Sequence, residues 1–184
     1  MHLSLTRVTC HATSMVRKPP RRRNPPGTRY LTPAGYKAFK DEFHELLYVL
    51  RPKVVEQVAD AAAMGDRSEN AEYIYGKKKL RHIDSRLHFL EQRLSDVVVV
   101  DPSEQTAADI RFGATVVLED EELEGEVVYV LVGEDEIDPS RNRISWQSPV
   151  GRALIGKATD DLVIVNTPKG RRELIVLRFY YDPI

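Results

Sequence analysis

Met64-Gly65-Asp66-Arg67-Ser68-Glu69-Asn70 joins two long segments of helical periodicity and leaves almost no chain for a loop. Before this stretch, apolar side chains recur every three or four residues, at Tyr36, Phe39, Phe43, Leu46, Leu50, Val54, Val58 and Ala61. After it the same spacing continues at Tyr73, Gly76, Leu80, Ile83, Leu87, Leu90 and Leu94. Two heptad seams joined by so short a turn must pack antiparallel. The sequence therefore predicts a coiled-coil hairpin about 40 Å long.

The first helix begins with a clear signal and contains one irregularity. Thr32 is predicted to cap its N-terminus, with Pro33 in the first helical position. The seam stutters between Leu50 and Val58, and Pro52 lies inside the stutter. Because proline lacks an N–H group and crowds the preceding turn, we expect a kink there rather than a break.

The second helix carries a glycine in its seam. Gly76 is expected to let the facing helix approach closely, just below the turn. The faces opposite both seams are charged, at Lys37, Lys40, Glu45, Lys78, Arg86 and Glu91. Charged outer faces favour a hairpin that stands free over one buried inside a larger bundle.

The net charge of −1 conceals a basic half and an acidic half. Residues 1–94 carry 18 Lys and Arg against 10 Asp and Glu, whereas residues 95–184 carry 9 against 18. This division suggests two modules with different partners, nucleic acid being a candidate for the basic one. Alternatively, each half merely solvates its own surface. Cys10 is the only cysteine, which excludes an internal disulfide and indicates a reducing cytoplasm. No apolar run is long enough to span a bilayer, so we expect no membrane partner.

The N-terminal residues 1–28 are predicted to be a disordered basic extension. Arg17 to Pro26 reads Arg-Lys-Pro-Pro-Arg-Arg-Arg-Asn-Pro-Pro, in which proline opposes helix and sheet and like charges repel. Such a tail can bind nucleic acid or serve only as a solubilising leader. Met15 is an alternative start of the chain.

The helical spacing of apolar residues ends at Leu94. The predicted hairpin therefore spans residues 29–96, and a second module spans residues 97–184. Short runs rich in Val, Ile, Leu and Tyr predict strands at Val97–Val100, Phe112–Glu119, Glu126–Val132, Arg143–Ser145, Leu162–Thr167 and Glu173–Tyr181. A short helix is predicted over Ser148–Lys157, with Ser148 as its cap. The acidic run Glu119–Glu126 is typical of a solvated hairpin turn. The second module is therefore a small antiparallel α+β domain, and the fold class of the chain is α+β.

The turn between the two helices contains a pair of carboxylates, Asp66 and Glu69. Two such groups can hold Mg²⁺ together with waters and phosphate oxygens, provided that a partner supplies the remaining ligands. When that partner also supplies a first metal, the two metals together can promote hydrolysis of a phosphodiester. The alternative is a capping box, in which both acids satisfy free amides of the second helix. Ser68 could instead cap that helix by itself and leave the acids free.

A cluster of cations follows the turn, at Lys77, Lys78, Lys79 and Arg81. Lys77 and Arg81 share a helix face because they are four residues apart. Their position beside the paired acids favours a phosphate backbone arriving at the turn, so Lys77, Lys78 and Arg81 are candidate nucleic-acid-binding residues. Taken alone, the same cluster is only a solvated face.

The stretch Met64–Tyr73 resembles the tip signature of the Gre transcript cleavage factors, and the B-type is the closer match because of Arg67-Ser68 and Lys77-Lys78. The resemblance covers roughly Arg29 to Tyr181. Four further blocks follow in order, at Phe112–Val116, Val132–Glu136, Ser148–Lys157 and Asn166–Gly170.

The resemblance implies a coiled-coil hairpin followed by an FKBP-like domain that docks on bacterial RNA polymerase at the secondary channel. Asp66 and Glu69 would then help to hold the second Mg²⁺ and a water in the polymerase active centre. The polymerase would cleave the nascent RNA near its 3′ end in backtracked complexes, and Lys77 would lie close to that RNA. The factor is expected to have no turnover alone and to be a monomer when free.

Two other functions stay open at this point. The FKBP-like domain could act as a prolyl isomerase or chaperone, although fold does not imply function. Alternatively, the protein could be a Gre-like competitor that blocks the channel without promoting cleavage. The intact pair of acids counts against this alternative.

Overall fold

The computed structural model describes residues 29–64, 70–120, 125–167 and 170–184. Asp66 and Glu69 lie outside these residues, as do residues 1–28, for which disorder stays a prediction. The architecture is a helical hairpin followed by a mixed domain built on a five-stranded sheet. The predicted α+β class, with a helical hairpin before a domain built on a sheet, is confirmed. No helix among the described residues is long and apolar enough to cross a membrane.

The chain enters the hairpin through a short strand that the sequence did not reveal. Strand β1 (Arg29–Leu31) pairs in parallel with β2 (Val97–Val99), which directly follows the hairpin. The pair holds the two ends of the hairpin side by side. Thr32 then caps the first helix as predicted, its side chain accepting a hydrogen bond from the N–H of Gly35 at 3.1 Å.

The first arm of the hairpin is one continuous helix with a widened middle. It consists of α1 (Pro33–His44), a π-helical segment (Glu45–Leu50) and α2 (Arg51–Ala63), of 12, 6 and 13 residues. The N–H of Arg51 bonds to the oxygen of Leu46, five residues back, and the residues at both joins keep right-handed helical angles. The expected continuity is therefore confirmed, and the irregularity near Pro52 takes the form of a π-helix.

The π-helical segment explains the stutter in the seam. Each step of four residues overshoots one turn of an α-helix by about 40°, so three successive steps would carry the seam off its face. A wider turn takes up most of this drift and keeps Leu46, Leu50, Val54 and Val58 against the partner helix. Pro52, which has no N–H to donate, lies in the first turn of α2, directly after this segment.

The second arm, α3 (Ala71–Ser95), runs antiparallel to the first. Cross-hairpin contacts show the register: Glu42 pairs with Arg86, Arg51 with Asp84, and Val58 faces Gly76. The closest approach lies at the glycine, where an added Cβ would be 2.6 Å from Cγ2 of Val58. Gly76 thus has the role predicted for it. The six charged positions predicted to face outward are all solvent-accessible, with each side chain exposed.

The five-stranded sheet forms the body of the C-terminal domain. Its strands are β3 (Thr115–Asp120), β4 (Gly125–Val132), β5 (Arg143–Ser145), β6 (Leu162–Thr167) and β7 (Gly170–Tyr180), in the order β5-β4-β3-β7-β6. Neighbours pair antiparallel except β4 and β5, which are parallel. The prediction of a wholly antiparallel domain is wrong at this edge, because the chain crosses back between β4 and β5 through the short turns at Glu134–Glu136 and Pro139–Arg141.

Two glycines with positive φ shift the predicted boundaries. Gly113 (φ 83°) places a turn where a strand was expected, so β3 begins at Thr115 rather than Phe112. Helix α4 (Pro149–Leu154) ends before the predicted Lys157, because the chain leaves the helix at Ile155 and Gly156 adopts φ 77°. The predicted cap of α4 is confirmed, since Ser148 accepts from the N–H of Gly151 at 3.0 Å.

The core of the domain lies between one face of the sheet and α4. It contains Ile110, Ala114, Val116, Leu118, Leu131, Leu154, Val163, Val165, Leu174 and Val176. One member of the acidic run contradicts the expectation of a solvated turn. Asp120 is fully buried at the end of β3, where it accepts a hydrogen bond from Arg172 of β7.

Candidate functional site

The end of the hairpin is closed by a single amide side chain. Oδ1 of Asn70 accepts from the backbone N–H of Tyr73 at 3.2 Å, so Asn70 caps α3. Its Nδ2 donates to the backbone oxygen of Ala61 at 2.8 Å, near the end of α2. The helix therefore begins after Asn70, and the suggestion that Ser68 caps it is wrong. Sequence reasoning missed Asn70, although asparagine is among the strongest N-cap residues.

The hydrogen bond between Asn70 and Ala61 brings the two arms together beside the predicted acids. Only residues 65–69 separate the exposed Met64 from Asn70. Asp66 and Glu69 are among them and lie outside the described residues, so their separation and contacts stay untested. The structure places the flanking residues at the far end of the hairpin from the C-terminal domain.

Apolar side chains around this end are exposed. Met64 is 78 %, Ile74 53 % and Tyr75 69 % accessible to solvent. These residues lie off the seam, which is why the periodicity did not single them out. An apolar rim is consistent with a tip that is covered when the hairpin is bound.

The predicted cations lie on the outer surface of α3. Lys77, Lys78 and Arg81 are exposed, and none forms an ion pair with an acid among the described residues. Nζ of Lys77 lies 5.4 Å from the ring centroid of Tyr73, which orients it along the helix. Helical geometry puts Lys77 and Arg81 on one face, with Lys78 beside them. Their charge is therefore available to a polyanion.

The shaft behind the tip is stiffened by ion pairs between its arms. Arg86 donates to both carboxylate oxygens of Glu42, at 2.7 and 2.8 Å, and Arg51 lies 2.8 Å from Asp84. The hydrogen bond from Arg86 is the main reason that the pKa of Glu42 is lowered. A bidentate pair fixes orientation as well as distance, so it resists sliding of one arm against the other.

Within the described residues, no group of three or more His, Cys, Asp or Glu side chains could hold a metal ion. Two carboxylates such as Asp66 and Glu69 suit Mg²⁺, which commonly takes one or two protein carboxylates and completes its shell elsewhere.

Comparison with known proteins gives two family matches and many relatives. Residues 29–99 match the family model "Transcription elongation factor, N-terminal", and residues 105–181 match "Transcription elongation factor, GreA/GreB, C-term". The chain is 49 % identical over 157 residues to transcription elongation factor GreB of Pseudomonas aeruginosa, covering 85 % of this chain and 93 % of that one. It is also 49 % identical over 156 residues to GreB of Yersinia pestis, covering 85 % and 91 %.

Among solved structures, the chain is similar to Gfh1 of Thermus thermophilus, with 25 % identity, a TM-score of 0.39, and coverage of 83 % and 99 %. The two family matches together span most of the described residues, and the relatives match over nearly their whole length. The chain therefore belongs to the GreA/GreB family of transcription elongation factors, and its B-type resemblance is confirmed.

Proposed function

We propose that this factor binds bacterial RNA polymerase through the secondary channel and stimulates cleavage of the 3′ end of nascent RNA in backtracked complexes. The polymerase performs the hydrolysis in its own active centre. The factor contributes Asp66 and Glu69 at the tip of its hairpin and has no turnover alone. It acts as a monomer in the cytoplasm, and its C-terminal domain docks at the channel entrance.

The observation that carries this proposal is the hydrogen bond from Asn70 to Ala61 at the end of a long, thin hairpin. The first arm alone is about 45 Å long, at 1.5 Å per residue. With its arms joined at Ala61 and Asn70, the hairpin leaves eight residues between them, and two of these are acids. A slender rod that ends in two carboxylates suits a catalytic centre that can be reached only through a narrow channel.

The tip acids would share a Mg²⁺ ion with the polymerase, which would activate water and stabilise the leaving oxygen of the phosphodiester. Asp66 and Glu69 supply negative charge and oxygen ligands that neither partner holds in sufficient number by itself. Because most of the metal shell comes from the polymerase, the free factor binds the ion weakly.

The exposed cations beside the tip support a role for RNA in the same complex. Lys77, Lys78 and Arg81 are exposed and unpaired by acids in the part of the chain that the structure describes. RNA that has been pushed out of the active centre carries one phosphate per nucleotide, and these cations would hold it along α3.

The test is a transcript cleavage assay on a stalled, backtracked complex. Wild-type factor should shorten the RNA from its 3′ end, whereas Asp66→Asn or Glu69→Gln should reduce that stimulation by about 100-fold and leave polymerase binding near wild type. Glu72→Gln is the matched control, since Glu72 is an exposed acid in the first turn of α3. Full activity in either variant would show that the substituted acid is not needed as a metal ligand. Binding without cleavage by wild-type factor would favour a channel-plugging competitor.

A further inference from the structure

A short acidic turn of the C-terminal domain, Glu134–Glu136, contacts the start of the hairpin. The carboxylate of Glu136 accepts hydrogen bonds from the backbone N–H of Thr32 at 3.1 and 3.3 Å and from the hydroxyl of Thr32. It also accepts from the N–H of Gly133 at 3.1 Å, within its own turn. Thr32 is the cap of α1 and is 1 % exposed, so the domain binds the first helix at its origin.

Two glycines allow this close approach. An added Cβ on Gly35, in the first turn of α1, would lie 2.1 Å from Oε1 of Glu136. An added Cβ on Gly133 would lie 2.5 Å from the backbone oxygen of Tyr30 and 2.8 Å from Oε2 of Glu136. A Cβ at Gly133 would clash with backbone, and a Cβ at Gly35 would displace the carboxylate of Glu136 from the position in which it bonds to Thr32.

The same turn also contacts the other arm of the hairpin. Arg93, in the last turn of α3, places its Nε 3.3 Å from Oδ2 of Asp135 and its Nη1 3.9 Å from Oε2 of Glu134. The guanidinium of Arg93 lies 5.0 Å from the ring centroid of Phe89, which limits its movement. One turn of three acids therefore holds the bases of both arms.

The leverage of the hairpin makes this junction important. A rotation of 10° at the base of an arm about 45 Å long displaces the tip by about 8 Å. A metal ligand must lie within a few tenths of an ångström of its position, and a misplacement of about 1 Å can cost 100-fold in rate. The angle at the base must therefore be nearly fixed if the tip is to complete a metal shell.

We infer that the acidic turn Glu134–Glu136 sets the angle of the hairpin on the C-terminal domain, and that Glu136 is a positioning residue for stimulated cleavage. The inference concerning cleavage rests on the proposed function. The inference concerning the angle rests only on the contacts of Glu136, Asp135 and Glu134 with Thr32 and Arg93.

The angle is tested in the full-length chain by electron spin resonance distance measurement. Spin labels are placed on exposed sites in the two modules, at Asp60→Cys and Asn166→Cys, with Cys10→Ser removing the native thiol. The unmodified junction should give one narrow distribution of distances. Glu136→Ala should broaden or shift it, and Thr32→Ser, which keeps both the N–H and the hydroxyl, should not. A broad distribution with Glu136 intact, or no change in Glu136→Ala, overturns the inference.

Cleavage is then measured with the same junction variants. Glu136→Ala should lower the cleavage rate at saturating factor by about 10-fold or more, and change the half-saturating concentration by less than about threefold. Thr32→Ser should retain activity. Full cleavage together with a broadened distribution would refute the positioning role. Should Glu136→Ala fail to fold, Glu136→Gln and Thr32→Val are used instead, because each weakens the hydrogen bonds between Glu136 and Thr32 with a smaller change in side-chain volume. If wild-type factor stimulates no cleavage, the proposed function fails, and the distance measurement still decides the angle.

Discussion

The side-chain amide of Asn70 donates from Nδ2 to the backbone oxygen of Ala61 at 2.8 Å, across the end of the hairpin. Because the same residue caps α3 through Oδ1, Asn70→Ala should remove two stabilising contacts. We expect a loss of about 2 kcal/mol in the free energy of unfolding, measured with urea. Asn70→Asp keeps the capping oxygen and loses the donor, so it should cost about half as much. Equal losses in the two variants would show that the cap contributes nothing.

The contact between Gly76 and Val58 predicts that Gly76→Ala changes stability in opposite directions with and without Val58→Ala. Gly76→Ala improves helix propensity by about 1 kcal/mol, but its Cβ would lie 2.6 Å from Cγ2 of Val58. Valine has one strongly preferred rotamer in a helix, so it cannot turn aside cheaply. We expect Gly76→Ala to destabilise the wild-type chain and to stabilise a chain that already carries Val58→Ala. A stabilising effect in both backgrounds would mean that the two arms do not press together here.

The ion pair of Glu42 with Arg86 predicts a dependence of stability on pH. Its hydrogen bond lowers the pKa of Glu42 in the folded state below the ordinary value of 4.5. The pair therefore contributes fully above about pH 4.5, and its contribution is lost as the pH falls through the folded-state pKa. Since both side chains are about 40 % exposed, the contribution is at most about 1 kcal/mol.

The measurement compares the free energy of unfolding of wild type and Glu42→Gln between pH 7 and pH 3. The difference should be present at pH 7 and disappear at the acidic end. Glu91→Gln is the control, because Glu91 is an exposed acid of α3 with no ion pair among the described residues. A difference that does not change with pH would place the effect of Glu42 in packing rather than charge.

The spacing of apolar residues predicted the buried faces of both hairpin helices. Every seam residue from Tyr36 to Leu94 is buried or half-buried, because burial of an apolar stripe is the main force that pairs two such helices. The π-helical segment Glu45–Leu50 was not foreseen, although the run of four-residue spacings and Pro52 are its signal. Spacing gives the face of a helix but not the local number of residues per turn.

Contacts between distant residues were beyond sequence reasoning. Thr32 was predicted as a cap, yet its bond to Glu136 joins residues 104 positions apart, and nothing in either local sequence indicates the other. Strand β1 escaped notice for the same reason, since three residues carry no periodicity and their partner lies beyond the whole hairpin. The predicted acids of the tip stay predictions, whereas the exposure of Lys77, Lys78 and Arg81 is as expected.

Salt dependence tests whether the cations of α3 contact RNA. Lys77→Gln combined with Lys78→Gln should weaken stimulated cleavage on RNA backtracked by many nucleotides. It should also make the slope of log activity against log salt shallower by about 1.4, the value for two phosphate contacts on a single strand. Lys40→Gln combined with Lys53→Gln is the matched control, since both lysines are exposed on the opposite arm. An unchanged slope would show that Lys77 and Lys78 make no contact with RNA phosphates and are only solvated surface residues.

The dependence of cleavage on Mg²⁺ concentration reports on the proposed metal ligands themselves, because the tip acids are proposed to complete a metal shell. Wild-type factor should lower the Mg²⁺ concentration at which a backtracked polymerase reaches half its maximal cleavage rate. A factor carrying both Asp66→Asn and Glu69→Gln should bind the polymerase equally well and leave the Mg²⁺ dependence where it lies without any factor. If the double variant shifts the Mg²⁺ dependence as far as wild type does, Asp66 and Glu69 are not metal ligands.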